Sequence, residues 1–304
     1  MARPLTLGLV QHACGEDRAA NLRASLEGIA EAAARGARLV LLQELHASRY
    51  FCQFEDPALF DLAEPVPGPT TEVLAEAARR HGVVVVGSVF ERRAPGLHHN
   101  TAVVLEADGR LAGRYRKMHI PHDPGYREKY FFAPGDQGFR PITTSVGRLG
   151  VMVCWDQWFP EAARLMALAG AELLLYPTAI GWDPRDDAAE QARQREAWQT
   201  VQRGHAVANA LPVAACNRVG HEPGPPGEPG IRFWGTSFVA GPQGELLAQA
   251  GSEGPEVLTA EVDLDRSETL RRVWTFFRDR RPEAYGDLCR PWREGDDGTA
   301  DAQE

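Results

Sequence analysis

Lysine is almost absent from this chain. Of 33 lysine and arginine residues in a sequence of 304, only Lys117 and Lys129 are lysines. Arginine carries a planar, permanently charged fork, whereas lysine is a slim point charge that enters narrow pockets. Arginine stands at both basic positions just before Lys117, in Arg114-Tyr115-Arg116, but not at Lys117 itself. Two lysines must fall somewhere by chance, yet this scarcity makes Lys117 a candidate for a role that a guanidinium cannot fill.

Other absences exclude several classes of protein. The five cysteines are odd in number and show no CxxC spacing, which argues against a disulfide framework or a zinc site. No apolar run approaches the length of about 18 residues that a membrane span needs, and the start does not resemble a signal peptide. The net charge is −9 and no basic patch stands out, which argues against nucleic acid as a partner. We therefore expect a cytoplasmic protein with free thiols.

The remaining composition is that of a globular protein, with 43% hydrophobic and 25% charged residues. Apolar strand-like runs alternate with helix-like segments along the whole chain. A strand is predicted over 149–153, a long amphipathic helix over 187–209 and a helix near 267–277. The alternation predicts one mixed-sheet α/β domain. Its one Pro/Gly-rich break, residues 222–230, is expected to border a site and not to separate domains.

Three polar residues end otherwise apolar runs: Glu44, Lys117 and Cys154. Ligand sites of α/β sheets gather at the carboxyl ends of strands, and such groups are costly to bury without a purpose. At a strand-to-helix turn, the backbone amides of the helix favour the thiolate form of a cysteine. A free cysteine, however, is often only a small buried hydrophobe. The bulky, polar residues 155–160 that follow Cys154 favour a site.

Together these groups would form a set for nucleophilic catalysis. Glu44 would take the thiol proton of Cys154 as a general base. Lys117 and the backbone N–H of Trp155 would stabilise the oxyanion that the attack creates. The alternative for Glu44 is a carboxylate exposed at a strand end.

The chain resembles the nitrilase superfamily of carbon–nitrogen hydrolases. Three segments match its catalytic segments in order: Gln43-Glu-Leu45, Tyr115-Arg-Lys-Met-His-Ile-Pro121 and Gly150-Val-Met-Val-Cys-Trp-Asp156. The resemblance runs from about residue 5 to about residue 290. It implies a four-layer αββα sandwich that dimerises through helices next to the active site. We accordingly expect a hydrolase domain over 1–290 and a polar, flexible tail over 291–304.

The resemblance also implies a fourth catalytic residue, Glu128, which would keep Lys117 charged and orient the substrate nitrogen. The alternative is a surface partner for Lys129 or Arg127. No cofactor is implied. The paired histidines His98-His99 and His119/His122 lack a spacing that binds metal, so we expect no metal site.

Within the superfamily, the chain is most similar to N-carbamoylputrescine amidohydrolases. Segments starting at Tyr50, His119, Pro134, Thr178 and Cys216 carry this likeness. It implies that an N-carbamoyl amine is hydrolysed to putrescine, carbon dioxide and ammonia in polyamine biosynthesis. It also places Tyr50 beside the substrate.

The distal ammonium of such a substrate needs a counter-charge, for which the resemblance suggests Asp183. The family typically has a glutamate there after a small residue, so Asp183 and Trp182 are departures, as is His122 where relatives tend to carry an acid. Asp183 could instead only form an Asp-Pro turn. The alternatives are the same chemistry on an N-carbamoyl amino acid, an amide or a nitrile, or a non-catalytic subunit with this fold. A carboxylate substrate would require an arginine or lysine in the pocket.

Overall fold

The computed structural model describes residues 2–292; Met1 and residues 293–304, most of the predicted tail, lie outside the described residues. The first of two six-stranded sheets contains β1 (Pro4–Gln11), β2 (Leu39–Leu42), β3 (Val84–Ala94), β4 (Leu97–Leu105), β5 (Leu111–Arg116) and β15 (Glu256–Asp263). The second contains β6 (Ile142–Thr144), β7 (Gly147–Val151), β8 (Leu173–Thr178), β10 (Val213–Asn217), β13 (Phe238–Ala240) and β14 (Leu246–Gln249). Their strand orders are β15-β1-β2-β3-β4-β5 and β14-β13-β10-β8-β7-β6.

Helices cover the outer face of each sheet. The first sheet packs against α1 (Arg18–Ala34) and α2 (Pro69–His81), and the second against α3 (Pro160–Leu168) and α4 (Ala188–Asn209). Asp17 and Asp187 cap the starts of α1 and α4 by accepting hydrogen bonds from backbone N–H groups of the first turn. Helix α5 (Arg266–Val273) follows the last strand.

The main core lies between the sheets, where side chains such as Leu7, Leu41 and Val86 meet Leu149, Leu173 and Val213. A second core lies under α1 and α2. Strands such as β2 are buried on both faces, which explains why they are uninterrupted apolar runs. The αββα sandwich that the resemblance implied is confirmed.

The prediction of one mixed-sheet α/β domain is confirmed, because both six-stranded sheets contain parallel and antiparallel pairs. The alternation alone, however, did not specify how the strands divide between sheets. It also missed a small third sheet of β9 (Gly181–Trp182), β11 (Val219–Glu222) and β12 (Ile231–Trp234). The loop 222–230 connects β11 to β12 as a hairpin.

Two predicted boundaries shift. Strand β7 ends at Val151, before the turn that carries Cys154. Helix α5 ends at Val273, since the β-branched and aromatic residues that follow favour helix poorly.

Candidate active site

Glu44 follows β2 and is fully buried, which excludes the exposed alternative. The guanidinium of Arg218, itself buried and paired with Glu222 at 2.6 Å, donates hydrogen bonds to the carbonyls of Glu44 and Leu45. Leu45 has a φ of +49°, an unusual backbone conformation for a branched side chain. Arg218 therefore fixes the backbone that aims the Glu44 carboxylate.

Lys117 follows β5, and its ammonium lies between two buried carboxylates. Nζ is 2.8 Å from Oε1 of Glu44 and 2.7 Å from Oε2 of Glu128, and all three side chains have no exposed surface. Burial alone would lower the pKa of Lys117, but the charges of Glu128 and Glu44 outweigh it and hold that pKa well above its usual value. Lys117 is therefore a permanent positive charge.

Glu128 begins a short 3₁₀ turn and contacts neither Lys129 nor Arg127 through its carboxylate. Its Oε1 accepts a hydrogen bond of 2.6 Å from the hydroxyl of Tyr50. Burial and the charge of Glu44 raise the pKa of Glu128 to about 7, although Lys117 opposes the shift. Tyr50 is fully buried behind Glu128 and is not among the residues that line the cleft beside Cys154, so its expected contact with substrate stays a prediction.

Cys154 begins a 3₁₀ turn, Cys154–Trp158, between β7 and α3. Its φ of +43° is strained for a residue with a side chain. Burial and the charge of Glu44 raise the pKa of the thiol well above its usual value, while Lys117 lowers it. The resting group is therefore a protonated thiol that needs a base.

One oxygen of Glu44, Oε2, is suited to be that base. Oε1 of Glu44 accepts hydrogen bonds from Lys117 and from Nδ2 of Asn100, at 2.7 Å in the latter case. Oε2 of Glu44 is buried and has no hydrogen-bond partner among the described residues. A free carboxylate oxygen that interacts electrostatically with the Cys154 thiol can accept its proton.

A cleft of about 450 Å³ opens beside Cys154. Aromatic side chains line much of it: Tyr126, Trp155, Trp158 and Trp234. Its acidic lining residues are Asp123, Glu128, Asp183 and Asp186, and within the described range 2–292 no lysine or arginine lines it. The structure thus places Trp155 and Asp183 at one cavity with Cys154, as expected from the sequence.

The charge of Asp183, however, is already paired with that of Arg185. Its carboxylate contacts Arg185, with Nε 2.9 Å from Oδ1, and this contact lowers the pKa of Asp183. Asp186 lies in the same lining, and its Oδ2 accepts a hydrogen bond of 3.1 Å from the neutral amide of Gln194.

The sequence reasoning missed several residues that shape the site. Asn100 was overlooked because it lies inside a strand, and Arg218 because nothing in its local sequence marks a buried guanidinium. Tyr126 exchanges hydrogen bonds with the backbone of Gly181 and holds one wall of the cleft. In the sequence Asp156 is only one residue of the segment that contains Cys154, whereas in the structure it is fully buried beside Cys154.

No group of three or more His, Cys, Asp or Glu side chains in the part of the chain that the structure describes is arranged to hold a metal. The histidines have other contacts: His98 packs on Phe60, His99 contacts the Ala133 carbonyl, and His119 contacts Asp156. Within residues 2–292, none of the helices has the length and apolar character of a membrane span.

Comparison with known proteins gives a consistent result. The family model for carbon-nitrogen hydrolases matches residues 6–272. An N-carbamoylputrescine amidase of Solanum lycopersicum is 46% identical over 93% of this chain and 94% of its own length. A citrullinase of Francisella tularensis is 39% identical over 95% of this chain and 99% of its own. The crystal structure of a carbon-nitrogen hydrolase from Helicobacter pylori G27 superposes with a TM-score of 0.93, at 50% identity, covering 95% of this chain and 100% of that one.

The ammonium of Lys117 should be essential to the stability of this site. Lys117→Ala should lower the free energy of unfolding by about 3–5 kcal/mol at pH 8, because two buried carboxylates lose their shared counter-charge. Lys117→Arg should cost about 1–3 kcal/mol, since the larger guanidinium overpacks a filled space. Urea unfolding measures both, with Lys129→Ala, at an exposed position, as the unchanged control.

The defect of Lys117→Ala should shrink as the pH falls from 8 to 6. Glu128 has a raised pKa in the folded state and, without the ammonium, takes up a proton more readily on folding. Fewer buried charges then remain unpaired at low pH. A Lys117→Ala protein as stable as Lys129→Ala at pH 8 would contradict the buried ion triplet.

Proposed function

The chain belongs to the carbon–nitrogen hydrolase family, and we propose that it hydrolyses N-carbamoylputrescine or a close N-carbamoyl amine to the amine, carbon dioxide and ammonia, a step toward polyamines. One observation carries this proposal. A buried Glu44–Lys117–Glu128 triplet lies beside the Cys154 thiol, and the cleft that leads to this thiol is lined by acids and aromatic rings, with no lysine or arginine in its lining among residues 2–292.

The first half of the reaction acylates Cys154. Glu44 accepts the thiol proton on its free oxygen as the sulfur attacks the ureido carbonyl. Lys117, held charged by its two carboxylates, stabilises the oxyanion together with the backbone N–H of Trp155. The tetrahedral intermediate collapses as the bond from its carbon to the terminal NH₂ group breaks. That nitrogen receives the proton from Glu44 and leaves as ammonia.

The second half releases the acyl group. Glu44 removes a proton from water, which attacks the thioester carbonyl and regenerates the thiol. The product is a carbamate, which decomposes to carbon dioxide and an amine without help from the protein. Glu128, with Tyr50 behind it, holds Lys117 in place and faces the cleft near the substrate nitrogen.

The cleft suits a substrate whose far end is cationic. Tyr126, Trp158 and Trp234 offer apolar walls for a methylene chain and aromatic faces for an ammonium. A substrate with a carboxylate, such as citrulline or an N-carbamoyl amino acid, would enter an acidic lining with no basic partner. The acidic lining therefore favours the diamine derivative over the amino acid.

Among the acids, Asp186 is the better counter-charge. Asp183, suggested by the resemblance, has its charge met by Arg185, whereas Asp186 has a neutral amide as its side-chain partner. An ammonium that approaches Asp186 meets a carboxylate that forms no salt bridge among the described residues, although the charge of Arg185 acts on it at longer range. We assign the distal ammonium to Asp186, with Asp183 in a smaller role.

Ammonia release from a substrate panel tests the reaction. N-carbamoylputrescine should be hydrolysed with a kcat/KM at least about tenfold above those of citrulline, N-carbamoyl-β-alanine and a simple aliphatic amide, equal to about 1.4 kcal/mol in transition-state binding. Cys154→Ala controls for contaminating hydrolases. Equal or faster turnover of a carboxylate substrate would overturn the substrate proposal and leave the reaction class intact.

The assignment of the ammonium predicts a difference between two matched variants. Asp186→Asn should raise KM for N-carbamoylputrescine about tenfold with little change in kcat, since it weakens binding far from the reacting carbonyl. Asp183→Asn should change KM less, because Arg185 already occupies its carboxylate. A larger effect on KM from Asp183→Asn than from Asp186→Asn would reverse the assignment.

We further propose that the protein is a homo-oligomer built on the face formed by α3, the end of α4 and the segment after α5. Apolar side chains are exposed there: Leu165, Leu168, Val207, Val273, Trp274, Leu288 and Trp292. Arg164 of α3 donates to the Ala208 carbonyl of α4 and lies over the Phe277 ring, which makes this one continuous surface. A patch of this kind typically marks a protein–protein interface.

A single charge on this face should break the oligomer. Leu165→Glu should shift the mass measured by light scattering to that of one chain, because a buried unpaired carboxylate destabilises an apolar interface. Val73→Glu provides the matched control on α2, at the opposite outer layer, and should leave the mass unchanged. A monomeric parent protein, or an unchanged mass for Leu165→Glu, would refute this interface.

A further inference from the structure

Asp156 is a fully buried carboxylate within the turn that carries Cys154. Its Oδ2 accepts a hydrogen bond of 3.0 Å from the backbone N–H of Val153, directly before the nucleophile. The N–H of Asp156 in turn donates to the Val153 carbonyl at 3.1 Å. These two bonds hold closed the turn in which Cys154 keeps its strained φ of +43°.

The same carboxylate reaches across to the other sheet, on both sides of Lys117. Oδ2 also accepts a hydrogen bond of 2.8 Å from the hydroxyl of Tyr115, two residues before Lys117. Oδ1 accepts hydrogen bonds from the backbone N–H of His119, at 3.0 Å, and from its ring Nδ1, at 2.7 Å. With a carboxylate oxygen as its partner, Nδ1 of His119 is assigned as the ring nitrogen that carries the proton.

Four donors thus saturate this one side chain, because a carboxylate has about four acceptor positions. The His119 ring is further clamped by Phe159, at the end of the Cys154 turn, with ring centroids 3.6 Å apart and planes within 5°. The rest of the interface between the sheets consists mainly of apolar contacts, which specify direction weakly. The bonds of Asp156 are directional and join the two reacting groups.

We propose that Asp156 is a positioning residue that sets the distance between the Cys154 sulfur and the Lys117 ammonium. The inference rests on the hydrolysis proposed above, in which both groups act on one carbonyl. Asp156 itself does not line the cleft and touches no substrate. Its effect is therefore on the geometry of attack, where a displacement of about 1 Å costs about 100-fold in rate.

Asp156→Asn tests this role with almost no change in volume. An amide offers one acceptor oxygen, so in either orientation its NH₂ group faces a backbone N–H that it cannot satisfy. We expect kcat for N-carbamoylputrescine to fall about 100-fold with KM nearly unchanged. Unchanged kcat, or a loss confined to KM, would overturn the proposal.

Glu106→Gln is the matched control for loss of a buried carboxylate. Glu106 also ties the first sheet to the second, since it accepts hydrogen bonds from the backbone N–H and the hydroxyl of Ser145, but it lies outside the site. The Glu106→Gln substitution should lower the melting temperature of the protein and leave kcat unchanged. Equal losses of kcat in Glu106→Gln and Asp156→Asn would show a structural effect only.

Alkylation of Cys154 by iodoacetamide gives a readout independent of the substrate. The parent for it is Cys289→Ser, because Cys289 is an exposed thiol. Asp156→Asn should slow the alkylation and move its pH midpoint upward, since Lys117 lowers the pKa of Cys154 only when correctly placed. An alkylation profile like that of Glu106→Gln would overturn the proposal. If the Cys289→Ser parent does not hydrolyse N-carbamoylputrescine, the proposed function is refuted. The alkylation rates of Asp156→Asn and Glu106→Gln would still decide the role of Asp156.

Tyr115→Phe covers the case in which Asp156→Asn does not fold. It removes one bond to Asp156 on the Lys117 side and keeps the bond to Val153. We expect kcat to fall about tenfold, as for the loss of one hydrogen bond to a carboxylate. No change in kcat would count against the proposal.

Discussion

The site depends on the burial of one ammonium between two carboxylates. The side chains of Lys117, Glu44 and Glu128 have no exposed surface, and removing one partner from such a buried ionic group is strongly destabilising. The triplet keeps Lys117 charged, holds one oxygen of Glu44 and leaves the other oxygen free. In the proposed reaction, a base and an electrostatic catalyst are thereby fixed side by side before any substrate arrives.

The surrounding fold supplies what this triplet needs. Arg218 holds the backbone around Glu44, Tyr50 and Asn100 satisfy the remaining carboxylate oxygens that are not used in chemistry, and Asp156 secures the turn of the nucleophile. Each of these partners lies behind the reacting groups and outside the cleft. The cleft itself has aromatic walls and acidic side chains, which under the proposed function select the substrate.

The two sheets divide the work. Glu44 and Lys117 follow strands β2 and β5 of the first sheet, while Cys154 follows β7 of the second. The site therefore forms only when the sheets pack, and its geometry is as exact as the bonds that cross between them. This explains why polar links such as that of Asp156 to Tyr115 lie within an otherwise apolar interface.

The sequence by itself predicted Glu44, Lys117 and Cys154 as site residues, because polar residues at the ends of buried apolar runs are conspicuous and their segments match a known family. It also gave most strands and helices to within a few residues. The two sheets followed only from the family resemblance, because strand pairing is non-local and the alternation of elements does not specify which strands pair. Nor could the sequence show that Tyr50 supports Glu128, that Arg185 neutralises Asp183, or that Arg218 and Asp156 organise the backbone. Those facts depend on which groups meet after the sheets pack, and only the tertiary structure decides this.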